Sequence, residues 1–216
     1  MMDDYFAEID DKKYRYPDSS VLINKLGIRE PEAFELAERD IVAFNMLDIR
    51  YMNPVPGSFD LHHLQDIHKR LFEDIFSWAG ETRTVNISRT LPFTPWQFVD
   101  DFADDIFIKL RKERFLMETP EPEYVRRLAH YFGEVNALHP FREGNGRTQK
   151  VFFEYLASVS GHRLFFKRVS KEDMDDASAA SLAGRNEGLE EIFQRIVEPN
   201  SKKMQEYWIR KIFNQR

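Results

Sequence analysis

Nine residues, from His139 to Arg147, lie between two stretches of helical periodicity and constrain the fold more than any other segment. They read His-Pro-Phe-Arg-Glu-Gly-Asn-Gly-Arg. Apolar residues recur at helical spacing from Glu121 to Leu138, before the segment, and again from Arg147 to Ser160, after it. We therefore expect a short loop that joins two helices, with its glycines at the N-terminus of the second helix.

The glycines make this loop a candidate anion site. Gly144 and Gly146 flank Asn145, so the backbone can adopt positive φ and direct successive N–H groups into one concavity. The N-terminus of a helix adds the positive end of its dipole. Arg147 falls in the first turn, where a cation is unfavourable unless a bound phosphate supplies the missing negative charge. The pattern predicts a phosphate site.

Two side chains of the same segment suit chemistry on that phosphate. Glu143 is a hard oxygen ligand of the kind that Mg²⁺ shares with phosphates, and His139 is a residue type that accepts protons near neutral pH. Taken alone, a histidine at a helix end is usually a cap or a core residue, and Gly-Asn-Gly is usually only a tight turn. Their coincidence favours a nucleotide-using transferase. The spacing matches neither a Walker A loop nor a dinucleotide fingerprint.

The rest of the chain favours an all-α protein. Its 216 residues suit one domain with a sizeable core. The convincing strand signal is Thr82 to Ile87, leading toward a turn at Ser88 to Thr90. We predict one domain over 1–198, with a core of about 16–197, and a helical tail or the start of a linker over 199–216. Helical periodicity also marks three earlier segments, Pro31–Tyr51, Leu61–Phe76 and Pro95–Phe115.

Composition argues against several classes of function. The net charge of −6 disfavours a nucleic-acid partner, and the absence of cysteine excludes disulfides, thiol nucleophiles and cysteine-ligated metals. The acidic N-terminus lacks the apolar core of a secretory signal, and no stretch has the length and apolarity to span a bilayer. We expect a cytoplasmic protein, or one delivered into a host cell as an effector. The spacing of His62, His63 and His68 does not suit a metal site, so we expect these histidines at the core edge or surface.

Together with Lys150, the nine residues resemble the signature H-x-F-x-[DE]-G-N-G-R-x-x-R of Fic domains, which transfer AMP from ATP to a hydroxyl side chain of a target protein. The segments Asp74–Gly80 and Arg83–Ser88 resemble that family's approach to its flap hairpin. The resemblance runs from about Tyr16 to Val197. It implies an all-α, Fic-type helical bundle with a short β-hairpin flap beside the active site.

The resemblance also implies roles for individual residues. His139 would be the general base, and Glu143 would hold Mg²⁺ as cofactor, with ATP as co-substrate. Gly144, Asn145 and Gly146 would form the anion nest for the α- and β-phosphates, and Arg147 would bind a phosphate. The last arginine of the signature is replaced by Lys150, which keeps the charge but loses the planar fork of donors. Phe141 matches the buried aromatic of the signature.

A protein partner follows from the same resemblance. A hairpin beside the site would leave an unpaired strand edge that can take up an extended target segment, with contacts expected at Asn86, Ile87 and Ser88. Many family members carry an inhibitory motif [ST]-x-x-x-E-[GN]. At that spacing Ser77 precedes Glu81 and Thr119 precedes Glu123, but Thr82 and Tyr124 follow instead of Gly or Asn. The expected inhibitor is therefore a small, separate antitoxin-like protein.

The sequence leaves rival functions open. The same nest could serve a Fic-fold kinase similar to Doc, or a transferase of UMP or phosphocholine. The chain could also be a non-catalytic nucleotide-binding module, or a toxin that acts mainly in complex with its inhibitor. The intact His139, Glu143 and Asn145 favour an active adenylyltransferase, and Lys150 is the feature that favours a binding module. The target protein and its modified Tyr, Thr or Ser hydroxyl are not encoded in any recognisable way.

Overall fold

The computed structural model describes residues 6–7, 11–89 and 91–213. Over these residues the chain is mainly helical. Its α-helices are α1 (Pro31–Leu47), α2 (Leu61–Phe72), α3 (Val99–Lys112), α4 (Glu123–Leu138), α5 (Asn145–Val159), α6 (Lys171–Leu182), α7 (Glu187–Ile196) and α8 (Lys202–Ile212). The mainly helical chain predicted from the periodicity, and the helical bundle implied by the resemblance, are both confirmed.

Some helix ends agree with the prediction and others differ from it. The N-terminus of α1 is as expected, because Pro31 takes the first position and the Glu30 carboxylate accepts hydrogen bonds from the N–H groups of Glu32 and Ala33 at 3.1 and 2.6 Å. Its C-terminal end widens into a π-helical turn, Asp48–Met52. Helix α2 was predicted to reach residue 76 but ends four residues earlier, since the next residues turn into the core.

In the part of the chain that the structure describes, four short strands form two antiparallel pairs. Strand β1 (Phe6–Ala7) pairs with β2 (Ile87–Ser88), and β3 (His162–Leu164) pairs with β4 (Val197–Pro199). The strand predicted over 82–87 is wrong in extent, because only its last residue lies in β2. Before β2, the Arg83 N–H donates to the Pro140 carbonyl at 2.8 Å and the Thr84 N–H donates to the Tyr14 hydroxyl at 3.1 Å, so these residues do not form a strand ladder. The second pair was not predicted.

Helix α5 lies at the centre of the molecule and positions the site. It packs against α2, α4, α8 and β3, so it is buried on several sides and not only along the predicted apolar stripe. The side chains of Phe152 and Phe153 are fully buried, and the ring of Phe152 meets that of Phe59 edge to face at 5.4 Å. Burial of each such side chain stabilises the fold by about 1.5–3 kcal/mol. The loop that precedes α5 is thereby anchored on a rigid element.

The C-terminal segment, predicted as a helical tail or the start of a linker, contains helix α8. Helix α8 packs on α5, with Ile212 fully buried and the ring of Trp208 5.5 Å from that of Tyr155. Within the described residues, none of the helices combines the length and apolarity that a membrane crossing requires.

Candidate active site

The loop between α4 and α5 is bounded by two residues in the left-handed conformation. His139 ends α4 with φ 45°, and Gly144 precedes α5 with φ 82°. A Cβ at Gly144 would lie 2.3 Å from the ring of Phe72, so both the backbone and the packing require glycine. Gly146 is different: it lies within α5 in helical conformation, and a Cβ there would meet nothing within 4 Å. The prediction that both glycines supply positive φ is therefore wrong for Gly146.

The inside of the loop is fixed by Asn145 and Phe141. The Asn145 side chain donates to the Phe141 carbonyl at 2.7 Å and accepts from the Phe141 N–H at 2.8 Å. The Phe141 ring is fully buried and stacks on His68, with ring centroids 3.9 Å apart. Asn145 thus acts on the loop conformation through its side chain, while its backbone N–H lies at the start of α5.

His68 supports the loop from α2, although we expected it at the core edge or surface. Its Nδ1 accepts from the Gly80 N–H at 2.8 Å, so Nε2 carries the proton and donates to the Glu143 carbonyl at 3.0 Å. Complete burial lowers the pKa of His68 to about 3. The ring is therefore neutral and serves as a fixed bridge between the loop and the residues after α2.

A buried arginine connects the α4–α5 loop to the flap, by which we mean residues 85–89 and 91–94, including β2. The Arg83 guanidinium donates to the carbonyls of His139 and Val85, each at 2.8 Å, and to that of Thr94. The Arg83 N–H donates to the Pro140 carbonyl at 2.8 Å. Burial lowers the pKa of Arg83 to about 10, which still leaves it protonated at neutral pH. The α4–α5 loop also contains a buried arginine of its own, Arg142. Its Nη2 lies 2.6 Å from Asp11 Oδ2.

His139 presents one ring nitrogen in a defined tautomer. Its Nδ1 lies 3.0 Å from the Asn136 carbonyl, which can only accept, so Nδ1 carries the proton of the neutral ring. The other nitrogen, Nε2, is then the basic one. The ring stacks on Phe93 with centroids 3.7 Å apart, and it lines a cavity of about 380 Å³. Orientation and tautomer both suit a proton acceptor.

The charge of Arg147 is balanced by two carboxylates. Its Nη2 lies 2.7 Å from Glu38 Oε1 and 3.3 Å from Glu143 Oε1, and its guanidinium lies 4.9 Å from the ring centroid of Phe72. The Gly144 N–H also donates to Glu143 Oε1, at 2.9 Å. We expected that only a bound phosphate would offset a cation at this helix N-terminus. That expectation is wrong, because the protein supplies Glu38 and Glu143.

Sequence reasoning missed Glu38. It lies on the buried face of α1, one helical turn from Phe34 and one from Val42, and it is only 3% exposed. An acidic residue within an apolar stripe is the signal that could have found it. Arg83 and His68 gave no such signal, because the loop carbonyls that they bond, those of His139 and Glu143, lie 56 and 75 residues away in the sequence.

The cavity collects several of the predicted residues along one wall. His139, Gly146, Arg147 and Lys150 all line it, and a volume of about 380 Å³ is in the range of small-molecule sites. Glu143, in the loop, and Asn145, the first residue of α5, are both buried. The opposite walls come from the flap, through Leu91 and Phe93, and from α6, through Met174 and Ser178. Charged residues therefore line the cavity both on α5, through Arg147 and Lys150, and on α6, through Lys171 and Asp175.

The flap is a hairpin, as predicted, but its edge is occupied. Ser88 forms a bridge with Pro92, and the Phe93 N–H donates to the Ile87 carbonyl at 3.2 Å. On the other side of β2, Phe6 pairs with Ser88 and Ala7 with Ile87. The expectation of an unpaired edge is thus wrong over these two residues.

The predicted docking residues are oriented differently from one another. The side chain of Ile87 is buried, so it can offer a partner only its backbone. The Asn86 side chain accepts from the Trp96 N–H at 3.0 Å. Next to them, Arg89 of the flap pairs with Asp175 of α6 at 3.1 Å, and both residues line the cavity.

Comparison with known proteins gives one consistent family. The family description for Fic/DOC proteins matches residues 58–157. The probable protein adenylyltransferase Fic of Escherichia coli K12 is 35% identical over 197 residues, which cover 91% of this chain and 96% of that protein. Protein adenylyltransferase VbhT of Bartonella schoenbuchensis is 34% identical over 84% of this chain, which spans only 38% of VbhT.

Solved structures agree. The effector BepC of Bartonella tribocorum, with AMPPNP bound, superposes with a TM-score of 0.79 at 27% identity, covering 87% of this chain and 97% of BepC. The N-terminal Fic domain of a Bartonella quintana effector, with ADP bound, gives 0.81 at 29% identity over 88% of this chain and 96% of that domain. From its sequence, its fold and the geometry of its α4–α5 loop, this chain belongs to the Fic/DOC family.

Proposed function

We propose that this protein transfers AMP from ATP to a hydroxyl group of a target protein, with His139 as general base. The observation that carries the proposal is the cavity wall on which the basic Nε2 of His139 and the cations Arg147 and Lys150 converge. Its relatives are named protein adenylyltransferases, and nucleotides occupy two of the similar structures. AMP transfer is the family-level activity that fits this wall.

In the proposed reaction the chain's own residues orient the nucleotide and move one proton. His139 takes the proton of the target hydroxyl, whose oxygen attacks the α-phosphorus while the bond to pyrophosphate breaks. Arg147 and Lys150 balance the charge of the leaving pyrophosphate. The N–H groups of residues 145–147 precede the first intrahelical bond of α5, from Thr148 N–H to the Gly144 carbonyl, and so face the anion at the helix N-terminus.

In this proposal Glu143 would hold the expected magnesium ion together with the phosphates, although its side chain is only 2% exposed. Among the described residues no group of three or more acidic, histidine or cysteine side chains could hold a metal by itself. Mg²⁺ is commonly held by one or two carboxylates together with phosphates and waters, and the Glu143 carboxylate lies at the helix N-terminus where the phosphates would bind. When bound, the ion would neutralise charge on the phosphates.

Labelled ATP distinguishes this function from its rivals. The protein would be incubated with cell lysate, Mg²⁺ and ATP labelled at either the α- or the γ-phosphate. A protein band labelled only from the α-phosphate supports AMP transfer, and its mass begins to identify the target. Label only from the γ-phosphate would indicate a kinase with the nucleotide reversed. No label from either would favour another donor or a binding module.

Lys150 offers a test of the nucleotide contact. We expect Lys150→Arg to leave ATP affinity unchanged or to raise it up to about tenfold, because a guanidinium can bind phosphate through two parallel hydrogen bonds. Calorimetric titration with ATP and Mg²⁺ measures the change. Lys167→Arg, on a residue outside the cavity lining, is the matched control. A large loss of affinity in Lys150→Arg would mean that the site is shaped for another donor.

We also propose that a target segment docks on the flap by taking the place of β1. An extended segment that pairs with Ile87 and Ser88 needs the same backbone groups that Phe6 and Ala7 now use. The docked strand would lie on the element that carries Phe93, which stacks on His139. The N-terminal segment then competes with the target.

A single substitution in β1 tests whether β1 competes with the target segment for β2. Ala7→Pro removes an N–H from β1 and should weaken its pairing, whereas Ala7→Val keeps it. Each cross-strand pair contributes about 0.2–1 kcal/mol, so loss of both should raise kcat/KM for the target by roughly 2- to 30-fold. The rate of target labelling at low target concentration measures it. Equal rates in both variants and the wild type would contradict the competition.

Restraint by a separate inhibitor remains our proposal. In the two segments that come closest to the inhibitory motif, the glutamates pair with other residues. Glu81 pairs with Lys13 at 3.2 Å, and Glu123 pairs with Arg126 at 2.5 Å. Neither glutamate lines the cavity.

A further inference from the structure

Helix α1 contributes one buried carboxylate to the cavity, and the proposed reaction has so far not used it. Glu38 lines the cavity beside Arg147, and its side chain is only 4% exposed. It occupies a core position of α1, between Phe34 and Val42, where an apolar residue would pack without loss of hydration. Buried ion pairs can often be replaced by apolar residues at no cost in stability. The fold alone therefore gives little reason for a glutamate here.

The contact with Arg147 is electrostatic rather than a well-aligned hydrogen bond. Nη2 of Arg147 lies 2.7 Å from Glu38 Oε1, yet that oxygen has no hydrogen-bond geometry to a donor. The aligned hydrogen bond of Nη2 goes to Glu143 at 3.3 Å. Glu38 therefore acts on the guanidinium mainly through its charge, from the α1 side. A neutral side chain of the same shape would lose this action.

Three elements together fix the head of Arg147. Glu38 holds it from α1, Glu143 from the loop, and the ring of Phe72 lies 4.9 Å away on α2. The Arg147 side chain is still 28% exposed toward the cavity, so the fixed head remains accessible to an anion. A cation in the first turn of a helix would otherwise be repelled by the positive end of the dipole. Glu38 offsets that repulsion without blocking the cavity.

We propose that Glu38 is a positioning residue that holds the Arg147 guanidinium in the orientation that contacts the nucleotide phosphates. The inference rests on the proposed function, because it assumes that Arg147 binds phosphate. It gives α1 a part in nucleotide binding and turnover. That helix lies outside the α4–α5 loop and outside the segment that the family description matches.

The test is a double-mutant cycle with Glu38→Gln and Arg147→Gln. We expect Glu38→Gln to raise the Kd for Mg-ATP and to lower kcat/KM for label transfer, together by about 10- to 100-fold, as a misplaced binding group does. The same substitution should have little further effect in the Arg147→Gln protein, because Glu38 acts through Arg147. Glu38→Asp, which keeps the charge, should recover part of the loss. Thermal unfolding of each variant shows whether it is folded.

A matched control is Glu113→Gln. Glu113 also pairs with an arginine, Arg127, but neither residue lines the cavity. The control should bind and turn over ATP as the wild type does. If Glu38→Gln equals the wild type, or is more active because Glu38 competes with phosphate, the proposal is overturned. It is also overturned if the loss is just as large in the Arg147→Gln background.

Failure of the proposed function would look different. If the wild-type protein transfers no label from the α-phosphate, AMP transfer is wrong whatever Glu38 does. Calorimetric titration with Mg-ATP still tests the link between Glu38 and Arg147, since it requires binding and no transfer. Glu38→Gln that folds and binds ATP with wild-type affinity would then refute the positioning role by itself.

Discussion

The His139→Ala protein is expected to show no detectable transfer of AMP while it still binds ATP. The proton of the target hydroxyl would have no acceptor, because the Nε2 that accepts it is oriented by the bond from Nδ1 to the Asn136 carbonyl. Removal of a positioned general base typically costs about 10²–10⁴ in rate. The phosphate contacts assigned to Arg147 and Lys150 do not involve the imidazole, so affinity for Mg-ATP should change little.

Two measurements on one preparation check this result. Transfer of α-phosphate label is followed in lysate, and ATP binding is followed by calorimetry. His62→Ala is the matched control, because the His62 side chain is 81% exposed and does not line the cavity. Turnover by His139→Ala at the wild-type rate would disprove its role as base. Loss of ATP binding along with turnover would instead assign the ring a structural part, through its stacking on Phe93.

Acid is expected to destabilise the fold through two buried histidines. Burial lowers the pKa of His68 to about 3 and that of His63 to about 4, from an ordinary value near 6.5. At pH values between the ordinary pKa and these lowered ones, the unfolded chain binds protons that the folded chain does not. The free energy of unfolding therefore decreases as the pH falls below about 6.5. One pKa unit corresponds to about 1.4 kcal/mol, so each histidine should cost roughly 2 kcal/mol of stability at pH 5.

Denaturant unfolding at pH 7 and pH 5 measures the effect. The free energy of unfolding should fall by several kcal/mol between the two, on the order of the summed histidine contributions. His68→Gln keeps a polar side chain that does not titrate, so this variant should lose about half of the pH dependence. Its stability at pH 7 will be lower, since Gln cannot reproduce both bonds to Gly80 and Glu143. An unchanged pH dependence would show that His68 is not the group responsible.

The features that could be predicted from sequence are those encoded locally. The helices follow from apolar spacing within each segment, and the α4–α5 loop could be read because its residues are adjacent in the chain. The family, the helical bundle and the hairpin were all predicted and are confirmed. The identification as an enzyme of the adenylyltransferase type is confirmed by the relatives. The roles of single residues in catalysis and docking stay predictions.

What could not be predicted depends on contacts between distant segments. The pairing of β2 with Phe6–Ala7 spans about eighty residues, and no local pattern specifies it. Glu38 reaches Arg147 from a helix more than a hundred positions away. Gly146 was misjudged for a different reason: a glycine in a tight pattern suggests positive φ, but the helix had already begun at Asn145.

Arg83 has a consequence for the choice of target. Its guanidinium joins the carbonyl of His139 to carbonyls on both sides of the hairpin, so these bonds hold the proposed base and the proposed docking strand together. A substrate segment laid along that strand has its residues spaced at about 3.3 Å, and only one of them can come level with the imidazole. The proposed enzyme would then select its target hydroxyl by position along the backbone and also by side-chain length, because the hydroxyl of Tyr lies several Å farther from the backbone than that of Ser or Thr.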